Sequence, residues 1–200
     1  MTVTRRAAGL AAVVVLALAA SGCGGASATA APPETSVPIG ATPWANGTVG
    51  QYGLRIDPSL LKRLPIAVGG IAMAEDADSE QALMDDATLT DIDRMAGAKY
   101  GTLGNDTDFV QVWVIHFKAD KQNGDAYGQW VDTYAAGACS QANGIADVSQ
   151  ETINNWLVDV TVCNGGPITA YSLAIGDGVT VSMFGMGPKD LGKLLISHLF

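Results

Sequence analysis

Three kinds of side chain in this 200-residue sequence could do chemistry, and their spacing limits what each can do. The acidic run Glu75 to Asp86 sets Asp76, Asp78 and Glu80 at alternate positions, as the opening ligands of a calcium loop are set. The sixth position of such a loop needs glycine and the twelfth a bidentate glutamate, but Gln81 and Ala87 stand there. The run therefore reads as a solvated, acidic helix start, and no metal ligand set is expected. The two histidines, His116 and His198, fall in different predicted elements, and neither has an orienting partner at a useful spacing. His116 reads as a hydrogen-bonded strand residue and His198 as a complement to a helix C-terminus. No G-x-S-x-G elbow, H-E-x-x-H pair, phosphate loop or paired-glycine dinucleotide fingerprint occurs. The expectation is a protein without catalytic residues, cofactor or metal. A cell-wall-directed hydrolase, whose two carboxylates would meet only in the fold, is the enzyme reading that stays open.

The third kind is cysteine, at positions 23, 139 and 163. Cys23 follows Arg5-Arg6, an apolar run from Ala7 to Ala20, and Ser21-Gly22. A positive start, a short apolar stretch and small residues before a cut site form a secretory signal too short to span a bilayer. Ala20-Ser21-Gly22-Cys23 resembles the lipobox of bacterial lipoprotein precursors. The resemblance implies that residues 1–22 are removed and that Cys23 becomes the lipid-bearing first residue, with lipid attaching the protein to the extracytoplasmic face of the cell membrane. In an exported chain the remaining pair, Cys139 and Cys163, reads as a disulfide, the alternative being two free buried thiols.

Loss of Arg5 and Arg6 leaves 9 basic against 20 acidic residues, a net charge of −11. Such a surface is repelled by nucleic acid and by anionic headgroups, so no nucleic-acid partner is expected and membrane attachment falls to the lipid. Aromatic residues make up only 6% of the chain, so the core should be aliphatic. The segment 23–50 is built of Ala, Ser, Thr, Pro and Gly around a lone Trp44. It reads as a disordered tether carrying one domain, residues 51–200.

The elements that must position these residues follow from periodicity. Asp57-Pro58 starts a short helix that Pro65 stops, and Ile66 to Ala74 is an irregular strand or buried loop. Leu83, Met84, Leu89, Ile92, Met95 and Ala96 recur at helical spacing. Phe109 to Phe117 is apolar on both alternating faces and predicts a central strand, with His116 on the face of Val110, Val112 and Val114. Asp125 caps a predicted helix that runs through Ala142, with Cys139 in its last turn. Thr152 to Cys163 predicts a strand in which Asp159 is half exposed or has a partner in the fold. Ile168 to Ile175 and Val179 to Phe184 form a hairpin through Gly176-Asp177-Gly178, and Pro188 opens a last helix with Leu191, Leu194, Leu195, His198 and Leu199 on its inner side.

The predicted class is α+β, a twisted, mainly antiparallel sheet with helices packed on one face. From Phe109 to Leu199 the order strand, cysteine-ending helix, cysteine-ending strand, hairpin, helix resembles the extracytoplasmic sensor domains of actinobacterial serine/threonine kinases and related lipoproteins. The resemblance implies a binding, sensor or interaction module without catalytic machinery, facing an envelope ligand or protein partner. A carrier of lipid or another hydrophobe is the alternative, and it requires an apolar cavity between sheet and helices.

Overall fold

The computed structural model describes residues 49–103 and 108–199. The signal, Cys23, and the tether up to Thr48, Trp44 included, lie outside the described residues. The elements are β1 (Arg55–Ile56), a 3-10 turn (Pro58–Arg63), β2 (Ala67–Val68), β3 (Ile71–Glu75), α1 (Ala77–Leu83), β4 (Ile92–Tyr100), β5 (Phe109–Phe117), α2 (Gly124–Cys139), β6 (Ile145–Ile153), β7 (Trp156–Cys163), β8 (Thr169–Gly176), β9 (Val179–Met186) and α3 (Leu191–Ile196). Among the described residues the strands form one open nine-stranded sheet in the order β2-β3-β4-β5-β9-β8-β7-β6, with β1 added parallel to β4 and every other pairing antiparallel. The class is α+β, as the sequence predicts.

β5 is central, between β4 and β9, because both of its faces are apolar. Val110, Val112 and Val114 face a cluster that includes Leu61 of the 3-10 turn and Leu191, Leu195 and Ile196 of α3. Trp113, Ile115 and Phe117 face a second cluster with Met95, Met84 and, from α2, Ala126 and Trp130. The helices thus divide between the faces, α3 covering one and α2 the other, rather than packing on one face as the sequence predicts, because β5 is apolar on both sides. Each fully buried Leu or Ile contributes about 1.5–3 kcal/mol relative to exposure, so the two clusters supply most of the drive to fold.

Three segments differ from their sequence reading. The helical spacing around Leu83 to Ala96 belongs to α1 only as far as Leu83, and Ile92 begins a strand. A bulge between Ile92 and Arg94 explains the false period, for it puts Ile92 and Met95, three residues apart, into the same cluster. Ile66 to Ala74 is a small hairpin of β2 and β3 turning at Gly69-Gly70. The predicted strand Thr152 to Cys163 is the turn and second arm of a hairpin. Asn154 and Asn155 both take positive φ (48° and 68°), the backbone of a type I′ turn, and β6 runs back along β7. The α2 cap is Asn123 rather than Asp125, its side chain accepting from the Ala126 N–H. The β8–β9 turn is as predicted, with Gly176, Asp177 and Gly178 all at positive φ.

Candidate functional site

The distal half of the sheet carries a polar row beneath α2. Registration aligns Trp113, Ser182, Ser172, Asp159 and Gln150 across β5, β9, β8, β7 and β6, so that all five point to the α2 side. Buried polar groups need partners, and here they satisfy one another. Trp130 Nε1 donates to Ser182 Oγ (2.8 Å), and Ser182 Oγ and Ser172 Oγ lie 2.8 Å apart. Tyr127 donates its hydroxyl hydrogen to Asp159 Oδ2 (2.6 Å), and Gln150 Nε2 donates to Asp159 Oδ1 (2.7 Å). Asp159 therefore has partners from α2 and from β6 that strand spacing could not name. Burial, followed by the bond to Asp159 and its charge, pushes the Tyr127 phenol well above its ordinary pKa.

Outward from this row the surface changes character. β6 is the outermost strand, and every residue from Ile145 to Thr152 is exposed. Val148 on β6 and Leu157 on β7 are 62% and 61% exposed on the α2 side, to either side of the Gln150–Asp159 pair. On the α3 side stand Asp147 and Glu151, the latter paired with Lys193 of α3 (2.9 Å). The hairpin is held at both ends. Asn154 Nδ2 donates to the Ser197 carbonyl (3.0 Å) beside α3. At the far end Cys139, at the end of α2, and Cys163, at the end of β7, are placed at disulfide-bonding distance, their Cα atoms 5.1 Å apart. An open depression of about 450 Å3 lies between the start of α2 and the β8–β9 turn, with Asn123, Tyr127 and Asp177 in its lining.

Two further clusters hold titratable groups. β3 ends at Glu75, which leaves Gly97 without a strand partner on that edge of β4, while Trp113 of β5 pairs with it on the other. Asp76 N–H donates to the Gly97 carbonyl (3.0 Å), and Glu80 Oε1 accepts from the Gly97 N–H (2.8 Å), so a carboxylate replaces the missing strand. Glu80 is 0% exposed, and its Oε2 is buried without a hydrogen-bond partner among the described residues. Burial raises its pKa to about 7; the Gly97 bond opposes the shift, and the charges of Glu75 and Asp76 add to it. Asp76 is itself bonded by Gln111 Nε2 (2.6 Å) and lies 3.4 Å from Lys99 Nζ. The acidic window is therefore partly a buried structural device rather than a solvated helix start throughout. Among the described residues no group of three or more His, Cys, Asp or Glu side chains could hold a metal ion.

His116 lies beside an acid that spacing does not reveal. Its Nδ1 is 3.7 Å from Asp93 Oδ2, beyond hydrogen-bond reach. Asp93 is occupied by two guanidinium groups, accepting from Arg55 Nη2 (2.6 Å) and lying 3.4 Å from Arg94 Nε. Burial and the Arg94 charge together lower the His116 pKa, against the pull of Asp93. His198 is exposed rather than on the inner side of α3, and its Nδ1 lies 2.8 Å from the Leu194 carbonyl, as suits a helix C-terminus. The two histidines are not brought together: His116 belongs to β5 and His198 follows α3.

No family model, curated protein or solved structure matches the chain. Among the described residues no helix is long and apolar enough to cross a membrane. Cys23 lies outside the described residues, so its role rests on the sequence. What sequence reading missed at the site is β6 itself: it is polar enough to pass for a loop, and the paired asparagines 154 and 155 were the signal for its hairpin.

Proposed function

We propose that this chain is an extracytoplasmic lipoprotein, anchored through lipid on Cys23, whose domain is a non-catalytic binding or sensor module. The observation that supports the reading is the β6–β7 hairpin. β6 presents a row of exposed residues and, among the described residues, has one strand neighbour, β7. An open edge is a liability that proteins ordinarily cover or shorten. Here it is nine residues long, tied by Asn154 to the α3 end and stapled through Cys163 to α2. A rigid, exposed, partly apolar edge suits recognition of another envelope component.

The test is photo-crosslinking on intact host cells from a photoreactive residue replacing Leu157, with a second at Ile66 as control. Both positions are strongly exposed, Ile66 lying beside β2 at the opposite edge of the sheet. A discrete adduct from position 157 and none from 66 supports the reading. Equal labelling from both, or none from either, overturns it.

A further inference from the structure

The open strand also says what kind of partner it suits. Residues 147, 149, 151 and 153 of β6 lie on the α3 side and 148, 150 and 152 on the α2 side, a bulge between Ile145 and Asp147 breaking the alternation before them. A strand added beside β6 would complete its backbone ladder and bring its own side chains opposite these, face by face. On the α3 side it would meet Asp147, which has no ion pair among the described residues, and Glu151, whose Lys193 contact occupies Oε2. On the α2 side it would meet Val148 and Thr152, with Leu157 of β7 directly behind Thr152. The edge thus offers acid on one face and apolar surface on the other.

A second copy of this chain is a poor occupant. Antiparallel pairing of two β6 strands over their full length sets Ser149 opposite itself and Asp147 opposite Glu151 of the other copy. Like charges directly opposite destabilise such a pair, and the whole chain is acidic. We infer that β6 accepts, by strand addition, an extended segment of a partner protein with basic residues facing Asp147 and Glu151 and apolar residues facing Val148 and Thr152. This rests on the binding-module reading and deepens it.

The probe is a fluorescein-labelled nine-residue peptide alternating lysine and valine, titrated into the domain with its disulfide intact and followed by anisotropy. Controls are a glutamate/valine peptide and a lysine/valine peptide N-methylated at alternate amides along one edge, in both possible registers. Saturable binding of the first peptide alone is expected, with a loss of about tenfold in affinity for the double variant Asp147→Lys/Glu151→Lys, at unchanged circular dichroism. Equal binding of the N-methylated peptides means diffuse charge attraction and overturns the inference, as does absence of saturable binding. A discrete crosslink from position 157 alongside such a negative result would overturn strand addition while leaving the binding module standing. Loss of both would overturn the two together.

Discussion

Replacing Glu80 by glutamine should remove most of a pH dependence built into the sheet. The carboxyl group is fully buried, accepts the Gly97 N–H that β3 leaves unpaired, and takes its proton near pH 7 instead of near its ordinary value of 4.5. A pKa raised by folding means that the native state binds the proton more tightly than the unfolded chain does. Stability is therefore fullest below the unfolded pKa and is lost as pH rises toward the folded value. A shift from 4.5 to about 7 is worth about 3 kcal/mol in all, of which about 2–3 kcal/mol is lost between pH 5 and pH 8. The glutamine side chain keeps an oxygen for the Gly97 N–H but carries no charge to bury. Urea unfolding followed by tryptophan fluorescence should find Glu80→Gln within about 1 kcal/mol of the parent at pH 5 and about 2–3 kcal/mol more stable at pH 8. His116 has its pKa lowered by folding and gains stability as pH rises, the opposite sense, but it is common to both proteins and drops out of the difference. Parallel stability curves for the two proteins across this range would refute the assignment of a buried, proton-binding Glu80.

Two other perturbations probe the distal half. Reducing the Cys139–Cys163 bond, which closes a loop of sequence separation 24, should cost about 3–4 kcal/mol in the chain-entropy account, read as a lower urea midpoint in dithiothreitol. Both thiols should resist alkylation before reduction, and ready labelling of both would exclude the bond. Tyr127→Phe removes the donor to Asp159 Oδ2 while leaving Gln150 on Oδ1, and should cost about 1–2 kcal/mol; no change would mean that solvent replaces the phenol without loss.

Much of the fold is legible in the sequence because its strongest signals are local. The two apolar faces of β5 place it centrally, the stripe of α2 foretells a helix against the sheet, and glycine chemistry marks the β8–β9 turn. β4 reads falsely as helix because its bulge moves Ile92 and Met95 onto one face at a helix-like interval. β6 escapes notice because an exposed edge strand has no buried face and hence no apolar alternation to reveal it. The partners of Asp159 are hidden for another reason: Tyr127 is 32 residues away in sequence, and registration, not spacing, brings the two together. Glu80 reads as part of a surface acidic run because nothing in its neighbourhood foretells that β3 stops just before Asp76.

The anchoring on which the proposed role depends is tested most directly by Cys23→Ala. The full precursor and the variant would be expressed in host cells and their membrane and soluble fractions probed for the domain. The account predicts that the parent sediments with membranes and that the variant leaves them, since lipid on Cys23 is the attachment it invokes. A variant that still fractionates with membranes at the parent's level would contradict it.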